Sequence, residues 1–227
     1  IRGMTFVPTL DTEGRQRPRI PRTLDPVEVR ILGALMEKQL STPEYYPLTL
    51  NALAAATNQK SNREPVMELS ESELSRALDR LQDERLVWKV MGGRAVRFDH
   101  NLDKVWHLNQ KEKALLTLLF LRGPQTAGEL RGRSDRLQQF DSVAVVEETL
   151  RDMAAHSEPL VRPLPRRPGQ KEERWTHTVG GEVVEEAPVI ASAAPSGEPL
   201  SARVARLEER IASLESALAE LRAKLGE

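Results

Sequence analysis

The chain has no cysteine among its 227 residues, which excludes disulfides, zinc ribbons, thiol catalysis and Cys-ligated clusters. It also lacks a long hydrophobic run. The longest, Ala114 to Leu121, is interrupted by Thr117 and falls far short of the roughly 20 residues that span a bilayer, so membrane insertion is not expected. The opening stretch, IRGMTFVPTLDTEG, has no apolar core of a signal peptide, and a cytoplasmic location is expected. Neither sign of charge dominates: 33 Lys+Arg stand against 34 Asp+Glu, for a formal net charge of -1. That balance removes the basic excess of a protein that coats nucleic acid indiscriminately, while leaving room for local patches. Catalytic signatures are missing too, with no GxGxxG, Walker or GxSxG motif. The four histidines, His100, His107, His156 and His177, form no clustered set of metal-ligand spacings. No enzyme, cofactor or metal is therefore expected.

What is present is helical patterning with a repeat. Residues 1–23 carry five arginines and three prolines with no apolar period, and read as a disordered basic arm. Asp25, Pro26 and Glu28 then form a helix start, and Val27, Ile31, Leu32, Leu35, Met36 and Leu40 recur at helical spacing up to Ser41-Thr42-Pro43. A short helix is expected from about Thr49 to Ala56. Ser70-Glu71-Ser72-Glu73 is a capping box for a third helix striped by Leu74, Ala77, Leu78 and Leu81. Leu86 to Met91 and Arg94 to Phe98 read as two strands about a Gly92-Gly93 turn.

The same order recurs. Asn109 to Glu112 opens a helix, Thr126 to Glu129 a short one, and Val143, Val146, Leu150 and Met153 stripe a third; Leu160–Arg162 and Glu173–His177 flank a Pro168-Gly169 turn. Pro47 and Pro124, Thr49 and Thr126, Leu53 and Leu130, Phe98 and Trp175, and His100 and His177 are each 77 positions apart. Pro163 and Pro165 deny donors to a ladder, so their strand must be an edge. Three helices ending in a hairpin is the order of a winged helix. The expected class is thus mainly α with small β-hairpins (α+β): winged-helix domain 1 at 24–107 and domain 2 at 108–180 in tandem.

Residues 181–199 read as a flexible linker. In 200–227, Val204, Ile211 and Leu218 occupy a positions and Leu207, Leu214 and Leu221 occupy d positions, with Leu225 closing the seam. A C-terminal coiled-coil helix that forms a homodimer is expected.

Several strings resemble the YceH-like family of uncharacterised bacterial proteins: Glu37-Lys38-Gln39, Thr42-Pro43-Glu44 through Tyr46-Pro47-Leu48, Asn58-Gln59-Lys60 with Asn62-Arg63-Glu64-Pro65-Val66, Leu121-Arg122-Gly123 with Gln125-Thr126, and Gly128-Glu129-Leu130-Arg131. The match runs over roughly residues 24–182, and the terminal heptads look like that family's tail. The resemblance implies a pair of winged-helix domains and no reaction.

Charge placement bears on function. The third helix of each unit is acidic, with Glu71, Glu73, Asp79, Asp83 and Glu84 in the first and Glu147, Glu148 and Asp152 in the second, which opposes ordinary recognition-helix docking on phosphates. Cations lie in loops and wings instead: Lys60 and Arg63 in one inter-helix loop, Arg131, Arg133 and Arg136 in its counterpart, Arg94 and Arg97 in wing one, and Arg166, Arg167, Lys171 and Arg174 in wing two. These are the candidate nucleic-acid contacts. Asn58, Gln59 and Asn62 make the first loop a candidate recognition loop. Its other reading is internal, with asparagines capping turns and Arg63 pairing with Glu37 or Glu68. The expected function is a dimeric DNA-binding, regulator-like protein that contacts duplex DNA through loops and wings. The alternative is an adaptor that binds a protein partner through its acidic third helices and coiled coil.

Overall fold

The computed structural model describes residues 22–92, 95–166 and 172–181, all of which fall in one structural unit. Outside the described residues lie most of the N-terminal arm, the linker beyond Gly181, and the whole expected coiled coil with Val204, Leu207, Ile211, Leu214, Leu218, Leu221 and Leu225. The fold is mixed α and β. Helix α1 (Pro26–Ser41) leads into the two-residue strand β1 (Leu48–Thr49), then α2 (Leu50–Thr57), α3 (Glu71–Asp83), and the strands β2 (Val87–Gly92) and β3 (Ala95–His100). After the short α4 (Leu102–Val105) come α5 (Gln110–Arg122), β4 (Gln125–Thr126), α6 (Ala127–Ser134), α7 (Val143–Ala154), β5 (Val161–Leu164) and β6 (Arg174–His177).

Local chemistry sets the helix starts. Asp25 with Glu28, Ser70 with Glu73, Asn109 with Glu112 and Thr126 with Glu129 each close a reciprocal capping box, satisfying amides that the first helical turn would leave unpaired. Helix α3 ends in a Schellman motif: the Leu86 amide bonds the Leu81 carbonyl and the Arg85 amide that of Gln82, with Arg85 held at φ 61°.

Each half builds the same antiparallel sheet, in the order β1-β3-β2 and β4-β6-β5. Leu48 faces Phe98 in the first and Gln125 faces Trp175 in the second, so the 77-residue sequence repeat is also a repeat of strand register. Strand β5, with Pro163 in it, lies at an edge. The first hairpin runs one residue further than expected. Gly92 pairs with Ala95 inside the ladder, so the connecting residues are 93–94 rather than Gly92-Gly93. Strands β1 and β4 and helix α4 were not expected from sequence.

The two halves share one hydrophobic cluster, and its axis is the crossing of α1 on α5. Nine consecutive residues of α1, from Glu28 to Met36, and nine of α5, from Lys113 to Leu121, are buried. Gly33 marks the closest approach: a Cβ there would lie 2.9 Å from Phe120 Cβ and from Leu121 Cδ2. Polar links tie the halves as well. The Glu64 amide bonds the Leu121 carbonyl, the Leu24 amide bonds the Val179 carbonyl, and Lys113 Nζ donates to Gln39 Oε1 and Asp103 Oδ2. Among the described residues no helix is long and apolar enough to cross a membrane.

Candidate nucleic-acid interface

The burial pattern resolves which faces the third helices present. Leu74, Ala77, Leu78 and Leu81 bury one side of α3, and its cations are engaged: Arg80 donates to Glu28 and Asp25, and Arg76 Nε donates to the Ser72 carbonyl. Glu71, Asp79 and Asp83 remain on the exposed side. On α7 the buried side is Val146, Leu150 and Met153, and Arg151 is tied to Glu147 at 2.6 Å, leaving Glu148 and Asp152 outward. Neither helix offers phosphate a cationic face.

Positive charge gathers elsewhere, in an open groove of about 1130 Å³ between the halves. One wall is the C-terminal end of α1 and the loop after α2, carrying Lys38, Gln59, Lys60 and Asn62; the other is the end of α5 with Arg122, the last turn of α6 with Arg133, and the loop after it with Arg136, so that Arg131 and Arg133, expected in a loop, stand on α6. Five cations thus face two carboxylates, Glu37 and Asp135. Glu37 is already neutralised, because Arg63 clamps it through two hydrogen bonds of 2.6 and 3.1 Å. Arg133 donates to Gln125 Oε1 and pairs with Glu129 at 3.3 Å, which fixes its guanidinium. Burial first, then the like charge of Arg133, lowers the pKa of Arg122. Lys60 and Arg136 are exposed and make no hydrogen bond or ion pair within the described residues.

The remaining sequence candidates separate by location. Arg63 is not a surface contact: its side chain is fully buried, held by Glu37 and by the Ala56 carbonyl, which is the internal reading of that loop. Asn58 is internal as well, exchanging hydrogen bonds with the backbone of Leu69 in both directions. Asn62, at φ 61°, accepts from Arg122 and so bridges the halves at the groove. Arg131 closes its own loop on the Phe140 and Asp141 carbonyls, and Arg97 donates to the Pro47 carbonyl at 2.7 Å. Arg166 stands in a different depression with Glu147, Glu172 and Glu173, an acidic setting, and Arg174 is half-buried in β6. Arg94, Arg167 and Lys171 lie outside the described residues. Of the expected contacts, the structure brings together Gln59, Lys60, Asn62, Arg133 and Arg136, and scatters the rest.

Two groove cations were missed by sequence reasoning. Lys38 and Arg122 are the last-turn cations of the helices that open each half. Their position complements the helix dipole, which is sufficient explanation for them in sequence and concealed their convergence.

A family model described as "Protein of unknown function, DUF480" matches residues 24–170. The chain belongs to the DUF480 family. A UPF0502 protein of Geobacter sulfurreducens is 47% identical over 187 residues, covering 82% of this chain and 83% of the relative. A UPF0502 protein of Burkholderia orbicola is 51% identical over 166 residues, covering 73% and 70%. The DUF480 match runs through the first half and into the second as far as residue 170, and it includes every element that lines the groove.

Proposed function

We propose that this DUF480 protein is a non-enzymatic tandem winged-helix protein that binds duplex DNA, with the backbone of one strand lying in the groove between its halves. The winged-helix reading rests on the order of elements in each half: helix, short strand, two helices, then a hairpin whose inner strand pairs with the short one. The observation that carries the DNA reading is the convergence of the loop after α2 with the C-terminal end of α6 and the loop that follows it, which brings Lys60, Arg133 and Arg136 into one groove with Lys38 and Arg122. Five crowded cations, with Glu37 neutralised by Arg63 and only Asp135 left beside them, suit a row of phosphates, and contacts of this kind to backbone need no cationic recognition helix.

The test is charge reversal at two groove positions that make no hydrogen bond or ion pair within the described residues, Lys60→Glu and Arg136→Glu, followed by anisotropy titration of the full chain with duplexes of unrelated sequence. Both variants weaken binding to every duplex, and each lowers the magnitude of the log-log salt slope by about 0.9. Unchanged affinity in the double variant refutes the groove.

A second reading, an adaptor that binds protein, is favoured by the first hairpin. Met91 is 80% exposed and Trp88 46%, beside the acidic face of α3. That reading predicts no duplex binding and loss of partner capture on Met91→Glu.

A further inference from the structure

A fully buried charge is expected to have a counter-charge beside it. Arg30 does not. It sits on α1 with 1% of its surface exposed and forms no ion pair with any carboxylate among the described residues. Nη1 and Nη2 donate to the carbonyls of Thr57 and Pro65 at 3.3 and 2.6 Å, while the buried Nε has no hydrogen-bond partner. Burial first, and then the like charge of Arg63, lowers its pKa to about 10. Arg63 meets Glu37; Arg30 meets only carbonyls.

Arg30 lines a cavity of about 310 Å³ formed by α1, the loop before α3, the end of α5 and strand β6. Its walls are mostly apolar, including Val29, Met67, Leu119, Phe120 and Pro124. His177 lines the same cavity, and its Nδ1 is buried without a hydrogen-bond partner. Glu64 also reaches the cavity, yet it is exposed and makes no ion pair with Arg30. An open, mostly apolar pocket lined by a guanidinium that has no counter-charge and by an imidazole with an unpartnered nitrogen matches one ligand chemistry. The volume lies at the small end of ligand sites, about 300–1,000 Å³, which suits a short acyl or aryl-alkyl body rather than a nucleotide or a lipid.

We propose that this cavity binds a small organic carboxylate, its anionic head taken by Arg30 with His177 as a second donor, and its apolar body packed on Met67, Leu119 and Phe120. The inference does not rest on the DNA reading. The same two helices, α1 and α5, wall both the cavity and the groove, so the ligand sits at the joint between the halves.

The test uses the full chain labelled at its methionine methyl groups, titrated with hexanoate and 3-phenylpropionate and, in parallel, with their uncharged amides. Met67 reports on the cavity, while Met36, Met91 and Met153 serve as controls. The carboxylates shift the Met67 methyl saturably, with a Kd of about 1 mM or tighter. The amides bind about tenfold or more weakly, because they forgo a charge-assisted hydrogen bond. In Arg30→Met the carboxylates fall to the level of the amides. His177→Phe, which keeps the ring and removes the nitrogen, weakens the carboxylates alone and provides a second variant if Arg30→Met does not fold. Equal binding of acid and amide, shifts confined to the other methionines, or no Met67 shift at about 20 mM of any probe overturns the proposal.

Discussion

Lowering the pH from 7.5 to 5 is expected to cost the fold roughly 4 kcal/mol, and two buried histidines account for it. Burial pushes the pKa of His177 down to about 4, and its ring stands edge-on to Phe120 at 5.1 Å with Gly180 against its other side. His100 is lowered to about 4 as well, by burial first, with Lys113 adding to the shift and Asp103 and Asp99 opposing it. Its Nδ1 accepts from the Leu102 amide and its Nε2 faces Gln39 Oε1 at 2.9 Å, an arrangement that requires the neutral ring. Both groups start from 6.5 in the unfolded chain. The unfolded state therefore binds protons that the native state refuses, so the stabilisation is complete above 6.5 and is lost as the pH falls from 6.5 towards 4. Between pH 7.5 and 5 that linkage amounts to roughly 2 kcal/mol per histidine. Urea unfolding at half-unit pH steps measures it, with the midpoint moving at constant m-value. His177→Phe removes about half of the pH slope. A stability that stays flat from pH 7.5 to 5 refutes the burial assigned to these rings.

Three substitutions test the packing. Gly33→Ala destabilises by about 1–3 kcal/mol despite its better helix propensity, since the new methyl meets Phe120 and Leu121 at 2.9 Å; thermal or urea unfolding reads this directly. Arg85→Gly stabilises by about 1 kcal/mol, because glycine occupies the positive-φ position of the Schellman motif without strain. Glu37→Ala costs about 3 kcal/mol by stranding the buried Arg63, and the double change Glu37→Leu with Arg63→Met recovers most of the loss in the same unfolding assay.

The parts of the fold legible in sequence are those set within a few residues. All four capping boxes span three positions, so Asp25, Ser70, Asn109 and Thr126 announce their helices without reference to anything distant. The hairpins are local in the same sense. Strands β1 and β4 were invisible because two residues carry no period and their partners lie some 50 positions away, Leu48 against Phe98 and Gln125 against Trp175. Helix α1 shows the other limit. Its sequence reads as a one-sided stripe, yet α2 and α3 cover one side and α5 the other, so Glu28, Arg30 and Gly33 are buried off the stripe. The site was half legible for a related reason. Cations such as Lys60, Arg133 and Arg136 stand out from their surroundings, whereas Arg63, in the same loop as Lys60, is drawn inside by Glu37, 26 residues earlier, and by the Ala56 carbonyl.

The central claim is that cations from both halves form one surface for a nucleic-acid backbone. The most direct measurement is anisotropy titration of the full chain against a random-sequence duplex across a salt series from low to physiological ionic strength. With five cations in the groove, each neutralising one phosphate, a log-log salt slope of about -4.5 is predicted. No binding at low salt, or binding with a slope near zero, contradicts it.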